Sequence, residues 1–182
     1  MYNAGAVHGA DFFLDQSVES AIDLVNLNCH GPVLLAHHFG RLMRDRQRGG
    51  MIFLSSMAAL AGGSYITTYA ATKSFDIVFA QSLWHELKAD NINVLGLIAG
   101  ATATPAMAAS GFDIGQKNEQ GLPVFMSSSA VAKEGLDNLE NGPIHIVGDV
   151  NRASADAFNQ LSREQLVNMM SQATAELYNK PS

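Results

Sequence analysis

Residues Met51–Lys73, MIFLSSMAALAGGSYITTYAATK, run from an apolar segment through a loop of small residues into a helix-forming segment. Ile52–Ser55 has the length and character of a buried strand, and Ala58–Ser64 is a loop of Ala, Gly and Ser. A helix is expected from Thr67 or Thr68, hydroxyls able to cap it, to about Asp90, with Phe75, Val78, Phe79, Leu83 and Leu87 as its apolar stripe. Ile92–Ile98, INVLGLI, then repeats the buried-strand pattern. Strand, helix and strand, with both strands apolar throughout, mark a parallel βαβ unit. An open parallel sheet binds its ligands beyond the carboxyl ends of its strands. Ser56 lies at one such end and Ala99–Thr104 at the next.

Tyr69 and Lys73 are four residues apart on the expected helix and so share a face. A free tyrosine, with a pKa near ~10, is a poor proton donor or acceptor at neutral pH, and a neighbouring cation favours its phenolate. A serine at the adjacent strand end can hydrogen-bond the oxygen that the tyrosine protonates. Together the groups would polarise a carbonyl.

Outward from this stretch, Asp15–Arg48 reads as helical, with Val18, Ile22, Val25, Leu34, Leu35, Phe39 and Leu42 at helical spacings. Pro32 predicts a break or kink near Cys29–Gly31. Arg48-Gly49-Gly50 reads as the helix stop. Residues 105–126 show no clear period and read as a flexible lid or substrate loop. A helix from about Ser127 to Asn138 leads into a strand at Pro143–Val147. The tail 151–179 is helical in two pieces, with a capping box at Ser162 and Gln165 and an apolar face of Leu166, Met169, Met170 and Ala173. The chain divides into a core over 1–104, a substrate loop over 105–126 and a helix, strand and tail over 127–182, within one partial domain.

Composition bounds the function. At 182 residues, 47% hydrophobic and 15% charged, the chain is globular. Lys+Arg of 11 against Asp+Glu of 17 gives no basic surface for nucleic acid or an anionic membrane. A single cysteine, Cys29, excludes an internal disulfide framework and a Cys-rich zinc site, and reads as a packed small residue. The six histidines are scattered, so no metal site is expected. With no long apolar run and no leader-like start, a cytoplasmic protein is expected.

Ser56, Tyr69-Ala-Ala-Thr-Lys73, Asn3-Ala4-Gly5, Asn28 and Ala99-Gly100-x-x-x-Thr104 occur in an order that resembles the short-chain dehydrogenase/reductase family. The thirteen-residue interval from Ser56 to Tyr69 is one that family commonly uses. The resemblance covers nearly everything from residue 1 to about 150. It implies an α/β fold with a Rossmann-like doubly wound parallel sheet. It also implies hydride transfer between NAD or NADP and a small-molecule carbonyl or alcohol.

The resemblance further implies that Tyr69 is the general acid/base and that Lys73 assists it and binds the nicotinamide ribose. Ser56 would hold the substrate oxygen and Asn28 would anchor a relay water. Thr104 would contact the nicotinamide carboxamide, with Gly100 and Thr102 lining the same pocket, and Asn3, Ala4 and Gly5 would flank the adenosine side. From the residues alone, Asn28 can equally satisfy backbone at a proline-linked break, and Thr104 before Pro105 can be turn chemistry. Ala99 replaces the family's usual proline. The sequence begins at the Asn-Ala-Gly motif, so the fold is expected to be N-terminally truncated, without the glycine-rich phosphate loop or the residue that selects NAD or NADP. A second reading is therefore a non-catalytic fragment that acts as an oligomerisation partner. Helices 17–47 and 68–90 resemble those that pair subunits in the family, which implies a homodimer or homotetramer.

Overall fold

The computed structural model describes residues 10–117 and 123–181, so Asn3, Ala4 and Gly5 lie outside the described residues. In chain order the elements are α1 (Val18–Val25), α2 (Gly31–Asp45), β1 (Gly49–Ser56), α3 (Thr67–Glu86), β2 (Ile92–Ala99), β3 (Thr102–Ala103) and α4 (Pro105–Ala109). They are followed by β4 (Met126–Ser127), α5 (Ser128–Asp137), β5 (Ile144–Ile146), α6 (Asp149–Phe158) and α7 (Arg163–Leu177). β1, β2 and β5 form a parallel sheet in that spatial order, with Ile52 opposite Leu95 and Leu97 opposite His145. β3 and β4 pair separately beyond the carboxyl end of β2.

β2 is central, and Val94, Leu95 and Leu97 have no exposed surface. One face of the sheet packs Met51, Phe53, Ile92 and Val94 against Ala36 of α2 and Ala80 of α3. The other packs Ile52, Leu95, Leu97 and Ala99 against Val131 of α5 and Val147 after β5. Helices on both faces of a parallel sheet are the doubly wound arrangement expected from two strands without a polar side.

Three local expectations are corrected. Gly49 and Gly50 are the first residues of β1, and the turn after α2 is made by Gln47, at φ 53°. Those glycines let the strand start tightly under its neighbours, because a Cβ on Gly50 would stand 2.7 Å from Leu139 Cδ2 and one on Gly49 would run into Met43. Thr67 and Thr68 lie inside the first turn of α3, whose N-cap position is Ile66, without a side-chain cap bond. On α7 the capping box of Ser162 and Gln165 is formed, but Ala173 is exposed and Thr174 and Ala175 are buried in its place.

Glu134 on α5 ties the far edge of the sheet together. Its Oε1 accepts from His145 Nε2 at 2.8 Å, Arg152 at 2.7 Å and the Gly148 backbone N–H at 3.1 Å. Burial works against its charge, and these hydrogen bonds more than offset it, holding the carboxyl at about 2. A carboxyl depressed by folding contributes stability that is complete above its ordinary value and is lost as pH falls through the folded one. Acid unfolding should therefore show a component between pH about 4.5 and about 2 that Glu134→Gln removes; urea titrations at stepped pH read it directly.

Candidate active site

The carboxyl end of β1 is fastened to the second turn of α3 by two hydrogen bonds. Ser55 Oγ donates to the Lys73 carbonyl at 2.7 Å, and Lys73 Nζ donates to the Leu54 carbonyl at 2.7 Å. A third bond, Ser74 Oγ to the Ala59 carbonyl at 2.7 Å, holds the short helical turn after β1 against the same stretch of α3. Lys73 is consequently buried, 8% exposed, although lysine is among the residues least often buried without a partner.

Ser56, next along β1, accepts from the Ala58 backbone N–H at 3.2 Å. Its own hydroxyl proton donates to none of the described residues. Tyr69 lies one turn before Lys73, half-buried, and its phenol makes no hydrogen bond among the described residues.

Asn28 is the most buried polar residue among the described residues, 1% exposed, and it sits in the break expected beside Pro32. That break is a π-turn, Asn26–His30, between α1 and α2, in which Gly31 N–H reaches back to the Asn26 carbonyl. Pro32 has no N–H to give to the Asn28 carbonyl four residues earlier, so an ordinary helical bond cannot close there. The Asn28 amide donates to Thr72 Oγ1 at 3.0 Å, and Thr72 Oγ1 donates to the Tyr69 carbonyl at 2.8 Å. Asn28, Thr72, Tyr69 and Lys73 thus form one connected corner with the end of β1.

The segment after β2 stands at the next strand end. Thr102 Oγ1 donates to the Gly100 carbonyl at 3.0 Å, and Thr104 Oγ1 accepts from Met107 N at 3.2 Å as the N-cap of α4. Residues 105–126, expected to lack periodic structure, therefore begin with a capped helix at Pro105. The turn-forming behaviour of Thr104 is observed, and its hydroxyl proton donates to none of the described residues.

Sequence reasoning missed Thr72, Asp76 and Tyr178. Asp76 Oδ2 lies 3.1 Å from Lys73 Nζ, with both side chains nearly excluded from solvent. Burial pushes the Asp76 carboxyl up, and Lys73 pulls against that shift. Its signal in the sequence was a carboxylate at i+3 from Lys73, set within the run Phe75–Phe79. Tyr178, just past α7, sits close enough for the Tyr69 phenol to add to the upward push that burial gives its own phenol. The Phe112 ring meets Tyr178 edge-on at 5.4 Å and Phe125 at 6.3 Å. Cys29, half-buried beside this corner, has its thiol pushed up by burial, with Asp76 adding to the shift.

A family model described as short chain dehydrogenase matches residues 1–114. The 7beta-hydroxysteroid dehydrogenase of Clostridium sardiniense is 25% identical over 137 residues, which are 73% of this chain and 49% of that protein. A solved structure described in terms of 7beta-hydroxysteroid dehydrogenase stereoselectivity superposes with a TM-score of 0.77 at 20% identity, covering 91% of this chain and 64% of its own. A short-chain dehydrogenase from Sphingobium yanoikuyae in complex with NADPH superposes at 0.69 with 26% identity, covering 90% and 62%. The chain spans about half the length of the curated relatives it matches.

Proposed function

This chain belongs to the short-chain dehydrogenase family, and from that membership we propose that it carries the proton-transfer side of an oxidoreductase that moves hydride between NAD or NADP and a carbonyl or alcohol carbon. The observation that supports this best is the double fastening of Lys73 to Leu54 and Ser55, which places an ammonium one helical turn from Tyr69 at the carboxyl end of a parallel strand.

The donor set suits the nicotinamide end of such a cofactor. Lys73 uses two of its three N–H groups on Leu54 and Asp76 and keeps one for a ribose hydroxyl. Thr104, with Gly100 and Thr102 beside it, keeps a hydroxyl proton for the carboxamide. A bound nicotinamide supplies or accepts the hydride. Tyr69 gives its phenol proton to the carbonyl oxygen in reduction and takes it back in oxidation, while Ser56 donates a hydrogen bond to the same oxygen. Asn28 and Thr72 keep the first turn of α3 in register with the π-turn, where a relay water would be held. Asn3, Ala4 and Gly5 are assigned to the adenosine side on the motif alone.

Tyr178 lies near enough to Tyr69 for the two phenols to influence one another, and Phe112 meets Tyr178 edge-on; these aromatic groups favour a bulky flat ketone, with 105–126 as the substrate loop. Val18, Ile22, Leu34, Phe39 and Leu42 on α1 and α2, and Val78 on α3, are exposed, and an apolar face of that extent supports a homodimer or homotetramer through these helices. No observation favours the non-catalytic reading. No helix of the described residues is long and apolar enough to cross a membrane.

The test is oxidation of NADH or NADPH by a ketone panel with the whole protein, followed by loss of nicotinamide absorbance. Turnover with a keto-steroid at a kcat/KM at least about tenfold above that for a small ketone such as acetone is expected, since each buried CH₂ contributes about 0.8 kcal/mol. Absence of turnover with every carbonyl and both dinucleotides would sink the assignment.

A further inference from the structure

Asp76 is 3% exposed, one turn beyond Lys73 on α3. Among the described residues, the Lys73 ammonium at 3.1 Å is the donor that its carboxylate uses. Phe75 and Phe79 of the same helix stack on one another, their ring centroids 5.2 Å apart, and Phe53 of β1 meets Phe79 edge-on. An apolar residue would fit a position this buried at lower desolvation cost, because a buried ion pair often contributes less than a packed hydrophobic replacement. Its presence therefore points to a task that packing does not perform.

That task is visible at the ammonium. Lys73 Nζ is gripped by the Leu54 carbonyl, a fixed point of the sheet, and by the Asp76 carboxylate, a fixed point of the helix. Two anchors on separate elements locate the nitrogen, whereas a four-carbon stem with one anchor would sample several rotamers.

We propose that Asp76 is a positioning residue, which holds the Lys73 ammonium at the end of β1 with one N–H left for a ligand. The inference rests on the hydride-transfer reading of Tyr69 and Lys73. It assigns Asp76 no contact with substrate or cofactor. Its charge balances the lysine, so that a cation can stay buried at the site before any ligand arrives.

Two readouts on the whole protein test it. The first needs no dinucleotide: brief acetylation followed by peptide mass spectrometry compares Lys73 with the exposed Lys133 in the same molecule. Asp76→Leu should raise Lys73 labelling relative to Lys133 by about fivefold or more, as an amine released from an ion pair opens to solvent. The second is kinetic. The same variant should lower kcat by about 10- to 100-fold with the ketone KM within about twofold, the pattern of a misplaced group that acts in the transition state. Asp76→Glu should recover most of both. Should Asp76→Leu fail to fold, the near-isosteric Asp76→Asn is judged by the same readouts. A folded variant with wild-type labelling and wild-type kcat overturns the proposal. Full turnover by Tyr69→Phe would instead defeat the hydride-transfer reading, and the labelling result would still judge Asp76.

Discussion

Tyr69→Phe is expected to reduce kcat by about three orders of magnitude while leaving dinucleotide affinity within about twofold, because positioned general acid/base groups contribute about 10²–10⁴ to rate. The substitution removes one oxygen and its proton. The ring remains, and the corner that carries it is held by backbone and by other side chains: Thr72 bonds the Tyr69 carbonyl, Asn28 bonds Thr72, and Lys73 bonds Leu54. Since the Tyr69 phenol makes no hydrogen bond among the described residues, its loss leaves no buried group unsatisfied and the fold should be unchanged. Stopped-flow measurement of hydride transfer, beside a fluorescence titration of the dinucleotide, separates the two effects. Turnover within tenfold of wild type would remove Tyr69 from the proposed role.

Lys73→Met should be the most damaging single change to stability, by about 3–5 kcal/mol, because it leaves the buried Asp76 carboxylate without its cation. The deficit should also depend on pH. Burial already pushes the Asp76 carboxyl up, and loss of Lys73 removes the pull that opposed it. A carboxyl raised by folding binds its proton more tightly in the folded state, so stability falls as pH rises from the ordinary aspartate value through the folded one. Urea midpoints of the variant should therefore lie nearer wild type at pH 4 than at pH 8. The double change Lys73→Met with Asp76→Leu should return to within about 1 kcal/mol of wild type, since a buried ion pair replaced on both sides is often neutral or better. An equal deficit at both pH values, with no recovery in the double variant, would mean that the pair is not the cause.

Period and order in the chain carried most of the architecture. Ile52–Ser55 and Ile92–Ile98 read as buried strands and are strands, and Pro32 announced the disturbed helix that became the π-turn. Ser56, Tyr69, Lys73 and Asn28 were legible as types at fixed intervals, and the fold brings their elements to one corner. What spacing could not express was partnership. The stripe Phe75, Val78, Phe79, Leu83 and Leu87 suggested that α3 turns an apolar face inward, and Phe79, Leu83 and Leu87 do pack on the core, yet Val78 is 63% exposed while Thr72, Lys73 and Asp76 are buried. Hydrophobic periodicity assumes that water is the only solvent for charge, and here an ion pair and a carbonyl dissolve the lysine instead. Tyr178 was invisible for another reason: it comes near Tyr69 from the far end of α7, more than a hundred residues later.

The double duty of the inward side of α3 has an evolutionary consequence. Substitutions at Thr72, Lys73 and Asp76 disturb the proposed chemistry, and substitutions at Phe79 and Leu83 of the same helix disturb the core under β1 and β2, so the helix is under selection from two directions at once. Drift is freer in the segment after Thr104, which hangs from the sheet by a capped turn and the short β3–β4 pairing. New substrate ranges can arise there by insertion or exchange of a few residues, without renegotiating the corner that Asn28, Thr72 and Lys73 hold together.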